Sequence, residues 1–287
     1  MSSLLVSDIV KMADRQLTEA GIEEHENEAK ILYCWLKHID YSRFFMEWGE
    51  PADDRTTELY FDLVARRCQR IPLQHLTGEQ DFMGMTFTVT PEVLIPRMDT
   101  EAVVARAEEL FDAKRGAAVL DLCCGSGVIG ISLAHRHPGI KVTAVDSSPQ
   151  ARQLTERNAG DWGVKMEVRQ GDLFEPVRRK RYHMIICNPP YIPSAAIETL
   201  MPEVKDHEPR EALDGGEDGL DFYRRICAEA PQHLKKSGLL VLEIGSEQSR
   251  AVEGLLLETE QFCDIQTTQD LAGRDRVVSA RLVGKGR

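Results

Sequence analysis

The apolar positions of the first seventy residues recur at helical spacing. Leu4, Leu5, Ile9, Val10, Ala13 and Leu17 form one stripe that stops at Gly21; Ala29, Ile31, Leu32, Trp35 and Leu36 form a second; Leu59, Phe61, Leu63, Val64 and Cys68 form a third before Pro72. Such spacing gathers side chains on one helix face, so a small helical bundle with its own core is expected here. Over 82–89 the texture changes to Phe-Met-Gly-Met-Thr-Phe-Thr-Val, alternating and β-branched, with Pro91 and Pro96 following. That pattern predicts a hairpin joining two domains. Beyond it, helices are expected over 100–111, 128–137, 149–159, 220–234 and 247–257, and strands over 117–122, 141–145, 166–169, 183–187, 239–244, 262–267 and 277–282. Alternating strands and helices imply a mostly parallel sheet covered on both faces, an α/β fold. The expected division is a helical domain over 1–78, a hairpin linker over 79–96 and an α/β domain over 97–287.

Composition narrows the function. With 287 residues and 42% hydrophobic content, the chain is long enough to bury a full core. Its 35 Lys+Arg against 47 Asp+Glu give a net charge of −12, which argues against a general nucleic-acid binder, since phosphate contacts carry most of that affinity. The seven cysteines form no C-x-x-C pair and are odd in number, so a reducing cytosol is the expected setting. The N-terminus lacks a basic and apolar leader, and no uncharged apolar run approaches the ~18 residues that span a bilayer. A soluble, cytoplasmic, monomeric protein without a metal or a membrane partner is the expectation.

Two motifs carry chemistry. Asp121-Leu-Cys-Cys-Gly-Ser-Gly-Val-Ile-Gly130 sits where the expected strand 117–122 turns into a helix. Glycines there let a ligand approach the backbone, and the helix N-terminus offers unpaired N–H groups. G-x-G-x-x-G alone also fits a dinucleotide. The acidic Asp121 favours S-adenosylmethionine, because a carboxylate would repel a pyrophosphate but attract the cationic end of an amino-acid cofactor. Asp146, ending the next strand, is placed to accept ribose hydroxyl hydrogens, and Asp172 with Leu173 to flank the adenine.

The second motif is Asn188-Pro189-Pro190-Tyr191, after the apolar run 183–187. Two prolines cannot continue a central strand, so the chain must leave the sheet there with restricted φ. The Asn188 side-chain oxygen and the Pro189 carbonyl then become two acceptors for the N–H hydrogens of a planar nitrogen. Gripping those hydrogens favours pyramidalisation and turns the lone pair towards a methyl sulfonium, catalysis by positioning without a strong base. Tyr191 is expected to stack on the planar group or close the pocket.

These residues resemble a class I S-adenosylmethionine-dependent methyltransferase, Rossmann-like, of the group that methylates planar nitrogens. The segments Pro72-Leu-Gln-His-Leu-Thr-Gly78, Phe82-Met-Gly, Leu94-Ile-Pro-Arg-Met-Asp-Thr-Glu101, Glu208-Pro-Arg-Glu-Ala-Leu-Asp-Gly-Gly-Glu-Asp-Gly219 and Ala272-Gly-Arg-Asp-Arg-Val277 resemble, in order, those of the peptide-chain release factor N5-glutamine methyltransferase family, HemK or PrmC, over essentially the whole chain. The resemblance implies methylation of the glutamine in the Gly-Gly-Gln loop of release factors, and a helical domain that recognises them. It places the cofactor against Asp121, Cys123, Cys124, Gly125, Ser126, Gly127, Asp146, Asp172, Leu173 and Asn188. The substrate glutamine falls at Asn188, Pro189, Pro190 and Tyr191, with Asn188, Pro189 and Tyr191 catalytic. Phe82 and Arg97 fall in segments the family folds over the site, Arg97 equally able to pair with Asp99 or Glu101. The chain departs from the family at Cys123-Cys124, where Gly-Thr is usual; a positive φ at Cys123 would be costly for a residue with a Cβ. Adenine-N6 methylation of DNA or RNA is the alternative for the same chemistry, disfavoured by the acidic balance. A dinucleotide oxidoreductase would leave residues 188–191 unexplained.

Overall fold

The computed structural model describes residues 4–284 and divides into two compact units. The first comprises the chain up to Glu79 together with Met201–His207. Its helices are α1 (Val6–Glu19), α2 (His25–Lys37), α3 (Tyr41–Glu47), α4 (Asp54–Cys68) and α5 (Leu73–Thr77), with α9 (Pro202–Lys205) from the distant segment. Asp40 and Asp53 cap α3 and α4 by accepting the Arg43 and Thr56 N–H groups, each at 2.8 Å. Ile9, Leu17, Leu32, Phe44 and Tyr60 fill the core. Sequence spacing puts Leu59 in that core, but it is exposed and Tyr60 takes the place, its hydroxyl donating to the Ala29 carbonyl at 2.8 Å. α3 and α5 have no counterpart among the three predicted stripes, being too short to complete a helical period. Met201–His207 joins this unit through Glu203, which accepts from Arg67 Nη1 at 2.9 Å and Arg70 Nη2 at 2.6 Å. Arg67, itself buried, also pairs with Glu28 at 2.5 Å.

The second unit holds a two-stranded hairpin, β1 (Glu79–Phe82) and β2 (Met85–Thr88), and a seven-stranded sheet. After α6 (Glu101–Leu110) come β3 (Ala118–Leu122), α7 (Val128–Arg136), β4 (Lys141–Asp146), α8 (Pro149–Asp161), β5 (Glu167–Gln170) and β6 (Tyr182–Cys187). Beyond α9 follow α10 (Asp221–His233), β7 (Leu234–Glu243), α11 (Ser249–Glu258), β8 (Phe262–Gln269) and β9 (Asp275–Leu282). The sheet order is β5-β4-β3-β6-β7-β9-β8, parallel except for β9, which runs antiparallel to both its neighbours.

Period-two alternation builds a core on each face. Leu120, Leu122, Ile185, Cys187, Leu240 and Leu242 point to the side covered by Tyr223 and Ile226 of α10 and Val252 of α11. Val119, Met184, Ile186, Leu239 and Val241 point to the side covered by Val103 and Val104 of α6 and Ile131 of α7. β3 lies between β4 and β6, so the chain leaves it in one direction and returns on its other side. This is the switch point at which open α/β sheets leave a crevice beyond their strand ends.

Candidate functional site

A cavity of about 660 Å³ opens at that crevice, entirely within the second unit. Its walls come from residues just past the ends of four parallel strands: Cys123–Ser126 after β3, Asp146–Ala151 at β4, Gly171–Leu173 after β5, and Asn188 and Pro190 after β6. The volume is within the range of small-ligand sites.

The β3–α7 loop is shaped by its own backbone. Gly125 and Gly127 have φ of 55° and 83°, and a Cβ on Gly127 would stand 2.8 Å from Thr155 Cγ2. The third glycine of the motif, Gly130, lies over Asp121, whose Oδ2 accepts the Gly130 N–H at 2.9 Å; a Cβ there would reach that oxygen at 2.8 Å. Asn158 of α8 ties the loop to the hairpin, donating from Nδ2 to the Ser126 and Thr88 carbonyls and accepting the Thr88 N–H at Oδ1.

Two non-glycine residues on the cavity wall sit in the left-handed region, Cys123 at φ 54° and Leu173 at φ 43°. Such conformations cost on the order of 1–3 kcal/mol each and gather at ligand sites. Asp146 faces the cavity with each oxygen already accepting one N–H, Oδ2 from Gly125 and Oδ1 from Ser148, both at 2.9 Å. A carboxylate has about four acceptor positions, so two remain for a ligand's hydroxyl groups. Burial raises its pKa, partly opposed by those N–H groups.

On the opposite wall, Asn188 Nδ2 donates to Thr100 Oγ1 at 3.3 Å. The Tyr191 hydroxyl donates to Glu243 Oε1 at 3.3 Å, and its carbonyl accepts from Gln248 Nε2 at 2.9 Å. Glu243, the last residue of β7, is fully buried; burial pushes its pKa up to about 7 against the favourable influence of Thr100, Arg276 and Tyr191. Arg276 in turn pairs with Asp99 at 3.0 Å and Asp270 at 3.2 Å.

Residues 102–204 match the methyltransferase small domain family and residues 8–78 the PrmC N-terminal domain family. The release factor glutamine methyltransferase of Geobacter sulfurreducens is 44% identical over 266 residues, covering 93% of each chain. That of Moorella thermoacetica is 41% identical over 266 residues, covering 92% of this chain and 94% of its own. The chain belongs to the release factor glutamine methyltransferase family. Solved structures share the fold at low identity. A methyltransferase from Pyrococcus furiosus superposes with a TM-score of 0.54 at 16% identity, covering 77% of this chain and 99% of its own. The 16S rRNA N2 G1207 methyltransferase of T. thermophilus gives 0.53 at 20% identity, covering 71% and 49%.

Within this member of the release factor glutamine methyltransferase family, Cys123, Cys124, Gly125, Ser126, Asp146, Asp172, Leu173, Asn188 and Pro190 line the cavity. Asp121, Gly127, Pro189 and Tyr191 lie off its wall. Asp121 is two residues on from Val119, so strand alternation turns it under α7; it supports the loop from below rather than facing a ligand. The ring of Tyr191 packs against the core, and its hydroxyl is engaged by Glu243. Phe82, expected near the site, is buried in the hairpin core against Phe87. Arg97 does line the cavity, but it pairs with Glu208 Oε2 at 2.5 Å and not with Asp99 or Glu101. Those two are taken by Arg276 and by the Met83 N–H. Asp172 carries an ion pair to Arg225 at 2.5 Å.

Sequence reasoning missed Thr100 and Glu243. A signal for Glu243 was present: a single carboxylate closing the apolar run Leu239-Leu240-Val241-Leu242, at a strand end where burial without a partner is costly. Thr100 carries no such mark.

Proposed function

We propose that this protein transfers a methyl group from S-adenosyl-L-methionine to the side-chain amide nitrogen, N5, of the glutamine in the Gly-Gly-Gln motif of peptide-chain release factors. The observation that carries the reading is that Asn188 and Pro190 of the Asn-Pro-Pro-Tyr motif after β6 line the same cavity as the glycine loop after β3, in a chain of this family.

The donor set suits the cofactor. Backbone N–H groups of the loop, the two remaining acceptor positions of Asp146 and the apolar side chains of Leu173, Val128 and Ile129 offer contacts for an amino acid, a ribose and an adenine. When bound, S-adenosylmethionine supplies an electrophilic methyl group on a sulfonium. The chain's own task is to prepare the nitrogen. Asn188 Oδ1 and the Pro189 carbonyl accept the two N–H hydrogens, orient the lone pair and meet the positive charge that builds as the bond forms. Proline at 190 supplies no N–H to compete for these acceptors. The net charge of −12 suits a basic, ribosome-directed protein partner steered by electrostatics, and the helical unit is the candidate for recognising it. The setting is the cytoplasm and the working form a monomer.

The test is to incubate the protein with methyl-labelled cofactor and a release factor, and in parallel with the factor whose loop glutamine is replaced. Label on the first factor alone is expected. Equal label on both, or label on DNA or RNA in their place, overturns the reading.

A further inference from the structure

We propose that Thr100 and Glu243 act as a lock on the Asn188 amide, fixing its oxygen as the end presented to the acceptor nitrogen. The proposal rests on the glutamine reading above, in which Asn188 must accept and not donate.

A side-chain amide has a donor end and an acceptor end of nearly equal shape, so only its hydrogen-bond partners decide which way it points. Asn188 turns Nδ2 to Thr100 Oγ1. A threonine hydroxyl has one hydrogen, and where that hydrogen goes determines what the oxygen requires of Asn188. Thr100 is buried, and its hydroxyl lies against the Glu243 carboxyl group and favours the ionised form. Of the two carboxyl oxygens, Oε1 takes the Tyr191 hydroxyl while Oε2 is buried without a hydrogen bond of formed geometry. A carboxylate only accepts. With the Thr100 hydrogen directed at this carboxylate, the Thr100 lone pairs are left needing a donor. Nδ2 is the only end of Asn188 that supplies one, which leaves Oδ1 for the substrate.

Reversing the amide would break both contacts. Thr100 would have to donate to Asn188, stripping Glu243 of its hydrogen, and the Asn188 NH₂ would meet the NH₂ of the acceptor. The charged groups around the carboxyl hold the arrangement in place. Arg276 favours the anion, and its bond to Asp99 fixes the turn that carries Thr100. Tyr191 donates to the carboxyl, Asp99 acts against its ionisation, and Tyr223 is spent on the Glu243 backbone carbonyl at 2.7 Å.

Three variants test the lock with a release factor as acceptor and S-adenosylhomocysteine titration as the measure of cofactor binding. Thr100→Val keeps the shape and removes the hydroxyl; kcat is expected to fall about tenfold, the weight of one hydrogen bond, with cofactor affinity and melting temperature nearly unchanged. Thr100→Ser restores the hydroxyl and is expected to recover most of the loss. Glu243→Gln can donate to Thr100 and so favours the reversed amide; it is expected to lose at least as much as Thr100→Val. The wild-type kcat should also decline as pH falls through about 7, since a protonated Glu243 can donate as glutamine does, and Glu243→Gln should lack that limb. A serine variant as impaired as valine, or a valine or glutamine variant with wild-type kcat, overturns the lock while leaving the glutamine reading intact. No labelling of the release factor by the wild-type protein overturns both.

Discussion

Leaving β3, the chain builds its side of the cavity from its own backbone: Cys123 and Gly125 in the left-handed region, Gly127 opening α7, and Asp121 supporting Gly130 from below, all within ten residues. Leaving β6, the chain supplies only Asn188 and two prolines, and distant segments hold them in place. Thr100 precedes α6, Glu243 ends β7 and Arg276 lies on β9. The comparison teaches that one half of this site is shaped by conformational preference and the other by hydrogen-bond logic. The first should be intolerant of a methyl group and the second intolerant of a lost polar atom.

The largest effect expected is at the second half. Asn188→Ala should lower kcat by on the order of 10²–10³-fold, the scale on which a single preorganised polar group acts in a transition state. Cofactor affinity and unfolding free energy should change little, because Asn188 is only part-buried and makes one long hydrogen bond. Single-turnover methyl transfer and calorimetric titration separate the two readouts. A parallel loss of cofactor affinity would place Asn188 in the first half of the site instead.

Gly127→Ala probes the first half. At φ 83° an added Cβ is strained in conformation, and it meets Thr155 and Ile131 at 2.8 and 2.9 Å. Together these should cost about 2–4 kcal/mol of stability, read as a lower denaturant midpoint, and should weaken cofactor binding. An alanine variant with wild-type midpoint would mean that the loop adapts and that glycine is not required there.

This division also explains what was legible in the sequence. The glycine loop and the Asn188 motif are contiguous, so spacing alone exposed them, and strand alternation located the sheet. The partner of Arg97 is not legible locally: Asp99 and Glu101 are the near candidates, whereas Glu208, which it pairs with, lies 111 positions away. Met201–His207 belongs with the helical unit through ion pairs to Arg67 and Arg70 across similar separations, and a four-residue helix leaves no periodicity to read. Asp121 ends an expected strand just before the glycines, which suggests a ligand-facing carboxylate, but its alternation with Val119 sends its side chain into the interior.

That burial gives a pH signature. Desolvation, reinforced by the charge on Asp146 and opposed by the Gly130 N–H, pushes the Asp121 pKa up to about 7, against ~3.9 when unfolded. The folded state therefore holds the proton more tightly. Its contribution to stability is fully present below about pH 4 and is lost as pH rises to about 7, on the order of 2–4 kcal/mol in all. Asp121→Asn removes this slope. The stability of the asparagine variant relative to wild type should improve steadily from pH 5 to pH 8 in denaturant titrations; a difference that stays flat over this window would show that Asp121 is ionised throughout.

The smallest effect is also the sharpest test of the backbone half, because it compares two adjacent cysteines. Cys123 is held at φ 54°, whereas Cys124 is not among the positive-φ residues, is buried and has its thiol 3.5 Å from the Thr155 hydroxyl. Replacing each by glycine and by alanine cancels most of the lost thiol packing and isolates the backbone preference. At position 123 glycine relieves left-handed strain that alanine retains, so Cys123→Gly should be more stable than Cys123→Ala by about 1 kcal/mol. At 124 the order should reverse by roughly 0.5–1 kcal/mol, since glycine there only adds unfolded-state entropy. Differential melting of the four variants measures both differences. Alanine the more stable at both sites would mean that Cys123 bears no conformational strain and is held by the packing of its thiol instead.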